Sequence, residues 1–119
     1  MRSRNPATVG PKKSLQRVIE LLRRRDTRSI AVLDGDQLIG IVTDRDVRQV
    51  APAFPLIRDD NEIRHYTDNL TVSAAMTANP MSIDADSSLS DDAKILGTYH
   101  ISSLPVMDQR KFIGILSVR

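Results

Sequence analysis

Residues 5–45 recur as residues 79–119 at a constant offset of 74, without a gap. Asn5-Pro6 returns as Asn79-Pro80, Ser14-Leu15 as Ser88-Leu89, Ser29 as Ser103, Val32 as Val106 and Asp34 as Asp108. The longest echo is Ile39-Gly40-Ile41-Val42-Thr43, which returns as Ile113-Gly114-Ile115-Leu116-Ser117. Twelve of the 41 aligned pairs are identical. A chain holding one unit twice is steered toward a pseudo-two-fold pair, with function placed in the cleft between the copies.

At 119 residues, each copy alone is too small for a secure core, so the two are expected to dock as one body. No apolar stretch approaches the roughly 20 residues that span a bilayer, and no membrane partner is expected. The opening Met1-Arg2-Ser3-Arg4-Asn5-Pro6 lacks the apolar core of a secretory signal. Cysteine is absent, which removes disulfides and thiolate metal sites and fits a cytoplasmic setting. The net charge is only +2. Its densest positive run, Arg23-Arg24-Arg25, ends an amphipathic helix, where cations face the negative end of the helix dipole. Phosphate binding by this run is the alternative. The few aromatic residues offer no stacking platform, so nucleic acid is not an expected partner.

Periodicity changes in the same order in both copies. Thr8-Val9 and Ser82-Ile83 read as short extended pieces. Leu15, Val18, Ile19 and Leu22 then form one helical stripe, and Leu89, Ala93 and Leu96 offer the corresponding face. Ser88-Leu89-Ser90-Asp91 resembles a capping box with Asp in its third position. Ser29–Leu33 and Leu38–Val42 read as a hairpin around Asp34-Gly35-Asp36-Gln37. Ser103–Met107 and Lys111–Leu116 repeat it around Asp108-Gln109-Arg110. A helix from Asp44 to about Gln49 closes the first unit. Residues 51–69 break the pattern as a surface crossover, with a short helix around 61–66 as one option. The segment Val72–Thr77 leads into the second copy. The division is repeat 1 over 1–50, crossover over 51–70 and repeat 2 over 71–119.

These residues carry a resemblance. A β-α-β-β-α unit present twice, each copy with glycine, two apolar residues and Thr or Ser after its last strand, resembles a cystathionine-β-synthase (CBS) domain pair, or Bateman module. Gly40-Ile41-Val42-Thr43-Asp44-Arg45-Asp46 matches the family's nucleotide motif. Ala75-Met76-Thr77-Ala78-Asn79-Pro80 and His100-Ile101-Ser102-Ser103-Leu104-Pro105-Val106 support it. The crossover resembles that of acetoin-utilisation-type modules. The implied fold is α+β (α/β), with tandem repeats packed as a pseudo-two-fold pair.

The motif suits a ribose. Thr43 at a strand end and Asp46 in the first helical turn can face one ligand, and an ionised carboxylate accepts both vicinal hydroxyls. The adjacent helix start offers N–H groups to a phosphate. The alternative is that Thr43 and Asp46 merely cap their helix. By resemblance, Thr43 and Asp46 would face Met76, Met81, Ile101 and Ser102 of the second copy, with Arg45, Arg48 and His100 as candidate phosphate contacts. Met81 and Ile101 read equally as core between the repeats. A second, weaker site would pair Ser117 with Ala7, Thr27 and Arg28, with Arg2 in the place of Met76. The chain stops at Arg119, one residue before the position matching Asp46, so this copy reads as C-terminally incomplete.

Catalytic and metal-ligating residues are not expected. His65 and His100 lie in unrelated segments, and Asp59-Asp60 and Asp91-Asp92 fall in polar, solvated stretches. The resemblance implies a regulatory module, not an enzyme, that binds an adenine nucleotide (AMP, ADP or ATP) or S-adenosylmethionine. It also implies a homodimer. A ligand-free dimerisation module and a nucleic-acid-binding module are the alternatives.

Overall fold

The computed structural model describes residues 2–3, 6–25, 27–50 and 70–117. The possible helix around 61–66 and the acidic pair Asp59-Asp60 lie outside them.

The first unit contains β1 (Arg2–Ser3), β2 (Thr8–Val9), α1 (Leu15–Arg24), β3 (Ser29–Asp34), β4 (Gln37–Thr43) and α2 (Asp44–Val50). The second contains α3 (Val72–Ala75), β5 (Thr77–Ala78), β6 (Ile83–Asp84), α4 (Leu89–Tyr99), β7 (Ser103–Asp108) and β8 (Lys111–Ser117). Two four-stranded sheets result, ordered β2-β3-β4-β5 and β6-β7-β8-β1. In each, a helix carries the chain between parallel strands, and a hairpin supplies the antiparallel neighbour. Both hairpins shift register at one equivalent point, between Val32 and Leu33 and between Val106 and Met107. Gly35 supplies the positive φ of the first turn, whereas Gln109 and Arg110 adopt it in the second against their Cβ atoms.

The edge strands are exchanged. β5, from the second half of the chain, pairs with β4, matching Ile41 to Thr77. β1, from the first half, pairs with β8, matching Ile115 to Ser3. The two pairings coincide under the 74-residue offset. α3 likewise packs on the first sheet, with Val72 and Ala75 joining Leu15, Val18, Ile30, Val32, Val42 and Val47 in one core. Residues 71–78 therefore belong to repeat 2 along the chain and to the first sheet in packing.

Alternation sorts the strands' faces. Ile30, Val32 and Val42 meet the helices, while Ala31 and Ile41 between them are buried on the opposite face. Leu104, Val106 and Leu116 form the second core, with Pro105 and Ile115 on the opposite face. The sheets approach through β4 and β8.

α1 buries the expected Leu15, Val18 and Ile19, and Arg23 and Arg24 occupy its last turn as the helix dipole favours. α4 departs from expectation. Leu89 and Ala93 are exposed, and the helix buries Leu96 together with Asp92. Asp92, expected to be solvated, is 1% exposed and accepts a 2.6 Å hydrogen bond from the Ser87 hydroxyl. It sits where Val18 sits in the first repeat. The N-terminus of α4 is capped as its sequence indicates, with Ser88 Oγ accepting from the Asp91 N–H at 3.1 Å.

Candidate functional site

β4 ends at Thr43 and α2 begins at the next residue, so one step of chain joins a strand end to a helix start. The Asp46 N–H donates to Thr43 Oγ1 at 3.1 Å, and the Thr43 N–H donates to Asp46 Oδ2 at 2.8 Å. This reciprocal pair is a capping box with Asp in the third position. The Thr43 hydroxyl also donates to Oδ2, at 3.1 Å. Both bonds fall on one oxygen, and Oδ1 takes a single 3.3 Å bond from the Thr77 hydroxyl on exchanged strand β5. Capping and ligand binding are thus compatible. The cap locks the side chain through Oδ2, and Oδ1 keeps lone-pair capacity.

This carboxylate borders a cleft of about 530 Å³ between the repeats, within the usual range for small-molecule sites. Ile41 and Pro105 are its buried apolar lining. Thr43, Arg45, Asp46 and Gln49 border it from the first repeat. Met81, Tyr99, His100, Ile101 and Ser102 face them from the second. Met81 and Tyr99 are 43% and 57% exposed, open to a planar partner. Asn79 and His100, which also line the cleft, both hold left-handed backbone at φ of 50° and 53°. Such strained residues cluster at ligand sites.

Of the residues singled out in the sequence, the structure brings Thr43, Asp46, Met81, Ile101, Ser102, Arg45 and His100 to this one cleft. Met76 is placed elsewhere. It packs against the first core and over Gly40, where an added Cβ would lie 2.6 Å from its sulfur. Arg48 is not among the lining residues and lies 3.4 Å from Asp44, one helical turn back. The N–H groups at the start of α2 are engaged within the chain, contrary to expectation. Asp44 donates to the Arg28 carbonyl at 3.0 Å, Arg45 to Asp44 Oδ1 at 2.9 Å, and Asp46 to Thr43. Thr77, Gln49 and Tyr99 were not anticipated. Thr77 is reached only through the strand exchange, whereas Tyr99 was legible as an exposed aromatic residue beside His100.

A second cavity of about 170 Å³ is bordered by Pro6, Ala7, Arg25, Thr27, Ser29, Ile115 and Ser117. Each lies 74 residues from a residue of the larger cleft, being the counterpart of Pro80, Met81, Tyr99, Ile101, Ser103, Ile41 and Thr43 respectively. Ser117, Ala7 and Thr27 border it. Arg28 does not border the cavity, whereas Arg25 does. The Arg2 side chain lies outside the described residues. Among the described residues, no group of three His, Cys, Asp or Glu is placed to hold a metal, and no helix is long and apolar enough to cross a membrane.

Comparison with known proteins agrees with this architecture. The CBS domain family matches residues 1–53 and 72–119. A CBS domain-containing protein of Dictyostelium discoideum is 30% identical over 118 residues, spanning 97% of this chain and 81% of the relative. The crystal structure of CBSX2 in complex with AMP superposes with a TM-score of 0.77 at 28% identity, covering 98% of this chain and 84% of that one. The CBS domain pair of protein MJ0100, in complex with 5-methylthioadenosine and S-adenosyl-L-methionine, superposes with a TM-score of 0.76 at 25% identity, covering 97% and 83%.

Proposed function

This chain belongs to the CBS domain family, and we propose that it is a regulatory module that binds an adenosyl small molecule in the larger cleft between its repeats. The candidate ligands are AMP, ADP, ATP and S-adenosylmethionine. The observation that carries this reading is the Asp46 carboxylate, pinned through Oδ2 by Thr43 and bordering the cleft with capacity left on Oδ1. A ribose diol donates two hydrogen bonds, and a preorganised ionised acceptor is the group that rewards them. Met81, Tyr99 and Ile101 supply apolar surface for a base, while Arg45 and His100 are the side chains at hand for phosphate. The AMP complex of CBSX2 and the adenosyl complexes of MJ0100 support this ligand class.

Binding between two repeats regulates by favouring the arrangement in which both walls touch the ligand. The shift is limited to the difference in affinity between arrangements. No catalytic step is assigned to the cleft. We read the working form as a homodimer, in keeping with the exposed apolar side chain of Ile113 in the second repeat; light scattering tests it.

Titration calorimetry and thermal shift with AMP, ATP and S-adenosylmethionine test the ligand class. A ligand at 100 times its Kd stabilises the fold by about 2.7 kcal/mol. Stabilisation by one of these ligands, lost in Asp46→Ala, is the expected result. No response to any of them would leave the module as a ligand-free dimerisation unit.

A further inference from the structure

We propose that the cationic outer face of α1 is a docking surface for the acidic outer face of α4 in a second copy of this chain. Two chains then assemble head-to-tail about a two-fold axis, and the α1–α4 contact forms twice. The proposal rests on the homodimer reading and adds its orientation. Arg17, Glu20 and Arg24 fall at i, i+3 and i+7 of α1, on the side away from buried Leu15, Val18 and Ile19. The 74-residue offset carries this stripe onto Asp91, Lys94 and Thr98 of α4. Two of its three positions reverse sign, Arg17 to Asp91 and Glu20 to Lys94. The approach to the helix reverses as well, with Lys12 matched by Asp86. Apart from half-buried Glu20, all of these residues are exposed. Residues 10–25 carry six cations against Glu20 alone, whereas the matching residues 84–99 carry four aspartates against Lys94 alone.

Within one chain these two faces are held apart. α1 packs on the core of the first sheet and α4 on that of the second, while Ile41 and Pro105 line the cleft from the opposite sheet faces. Both helices therefore cover surfaces turned away from the cleft. Opposite signs across an interface guide encounter, and like signs set against each other are penalised. A head-to-head pair would place the cations of α1 against each other and the acids of α4 against each other. The head-to-tail pair sets each face against its complement. Arg17 and Glu20 lie 3.7 Å apart on the α1 surface, an exposed pair of little worth that a second copy can replace. α4 also leaves room for a helix to approach. Ala93 and Gly97 are exposed beside Lys94, and a Cβ added at Gly97 would meet nothing within 4 Å.

The chain contains no cysteine, so single introduced thiols report the orientation. Glu20→Cys and Lys94→Cys chains are treated with a short bis-maleimide, each alone and as an equimolar mixture, without any adenosyl ligand. Cross-linked dimer is expected from the mixture and not from either variant alone. Sedimentation of the cysteine-free chain gives the strength of association, which should fall roughly tenfold from low to high salt as surface charges are screened. Arg17→Glu should weaken the dimer, and Asp91→Lys added to the same chain should restore it; thermal melts verify that the variants fold. A head-to-head dimer would instead be strengthened by Arg17→Glu, because like charge is removed from its interface. Cross-linking within each variant alone overturns the orientation and leaves the homodimer reading standing. A chain that stays monomeric overturns both, whether or not its α1 face binds generic duplex DNA. Since no adenosyl ligand is present, either failure is distinguishable from failure of the adenosyl reading.

Discussion

Leu15 and Leu89 occupy the same place in the two repeats, yet Leu15 is fully buried and Leu89 is 69% exposed. The difference lies in what covers them. The Leu15 N–H donates to the Leu70 carbonyl at 2.7 Å, and the Val72 N–H donates to the Lys13 carbonyl at 2.8 Å, which fastens α3 over this end of α1. Among the described residues, nothing equivalent crosses the start of α4. Leu15→Ala should therefore cost about 2–5 kcal/mol, whereas Leu89→Ala should stay within about 0.5 kcal/mol. Urea denaturation of the two variants measures both, and equal losses would contradict this assignment.

Asp46 combines two roles that substitution can separate. Asp46→Ala removes the capping box and should cost about 1 kcal/mol, together with adenosyl binding. Thr77→Val removes only the 3.3 Å bond to Oδ1 and leaves the cap intact. It should weaken binding while changing the melting temperature little. Calorimetry paired with thermal melts distinguishes the two patterns.

Gly40 is required by a close approach. A Cβ there would meet the Met76 sulfur at 2.6 Å and the Thr77 carbonyl oxygen at 3.1 Å, so β5 cannot stay paired undisturbed. Gly40→Ala should destabilise by about 1–3 kcal/mol, as overpacking does. Met76→Ala should recover part of that loss in the double variant. Chemical denaturation of the two single variants and the double gives the coupling directly.

Half-buried Ser87 and buried Asp92 form a polar pair, with Asp92 where the first repeat places aliphatic Val18. Ser87→Ala removes a 2.6 Å donor from a carboxylate that is 1% exposed, and should cost about 1–3 kcal/mol. Ser87→Ala combined with Asp92→Val restores the chemistry seen at Val18, and should be nearer neutral than Ser87→Ala alone. Denaturation midpoints of the two variants decide the order.

Much of the scaffold was legible because it is local. The period of α1, the two hairpins and the Ser88 cap depend on residues a few positions apart, which any reading of the chain has before it. The Thr43–Asp46 pair was legible for the same reason, including the capping role that accompanies its proposed ligand role. The buried face of α4 is not legible in the sequence, because its apolar residues do not mark it: Asp92 is inside and Leu89 and Ala93 are outside. Met76, expected at the cleft, lies on the first core, since a strand exchange between distant segments carries it there.

By itself, then, the sequence determined that one unit occurs twice, the order of elements within it, and the short motif at the end of β4. Only the tertiary structure decided which segments cross between the sheets, which helix faces are covered, and which arginine, Arg25 and not Arg28, borders the second cavity. Spacing along a chain encodes contacts within a few turns or one hairpin. Coverage and cavity lining depend on surfaces brought together from distant parts of the chain, as β4 meets β5 across 36–38 positions and β8 meets β1 across 112–114.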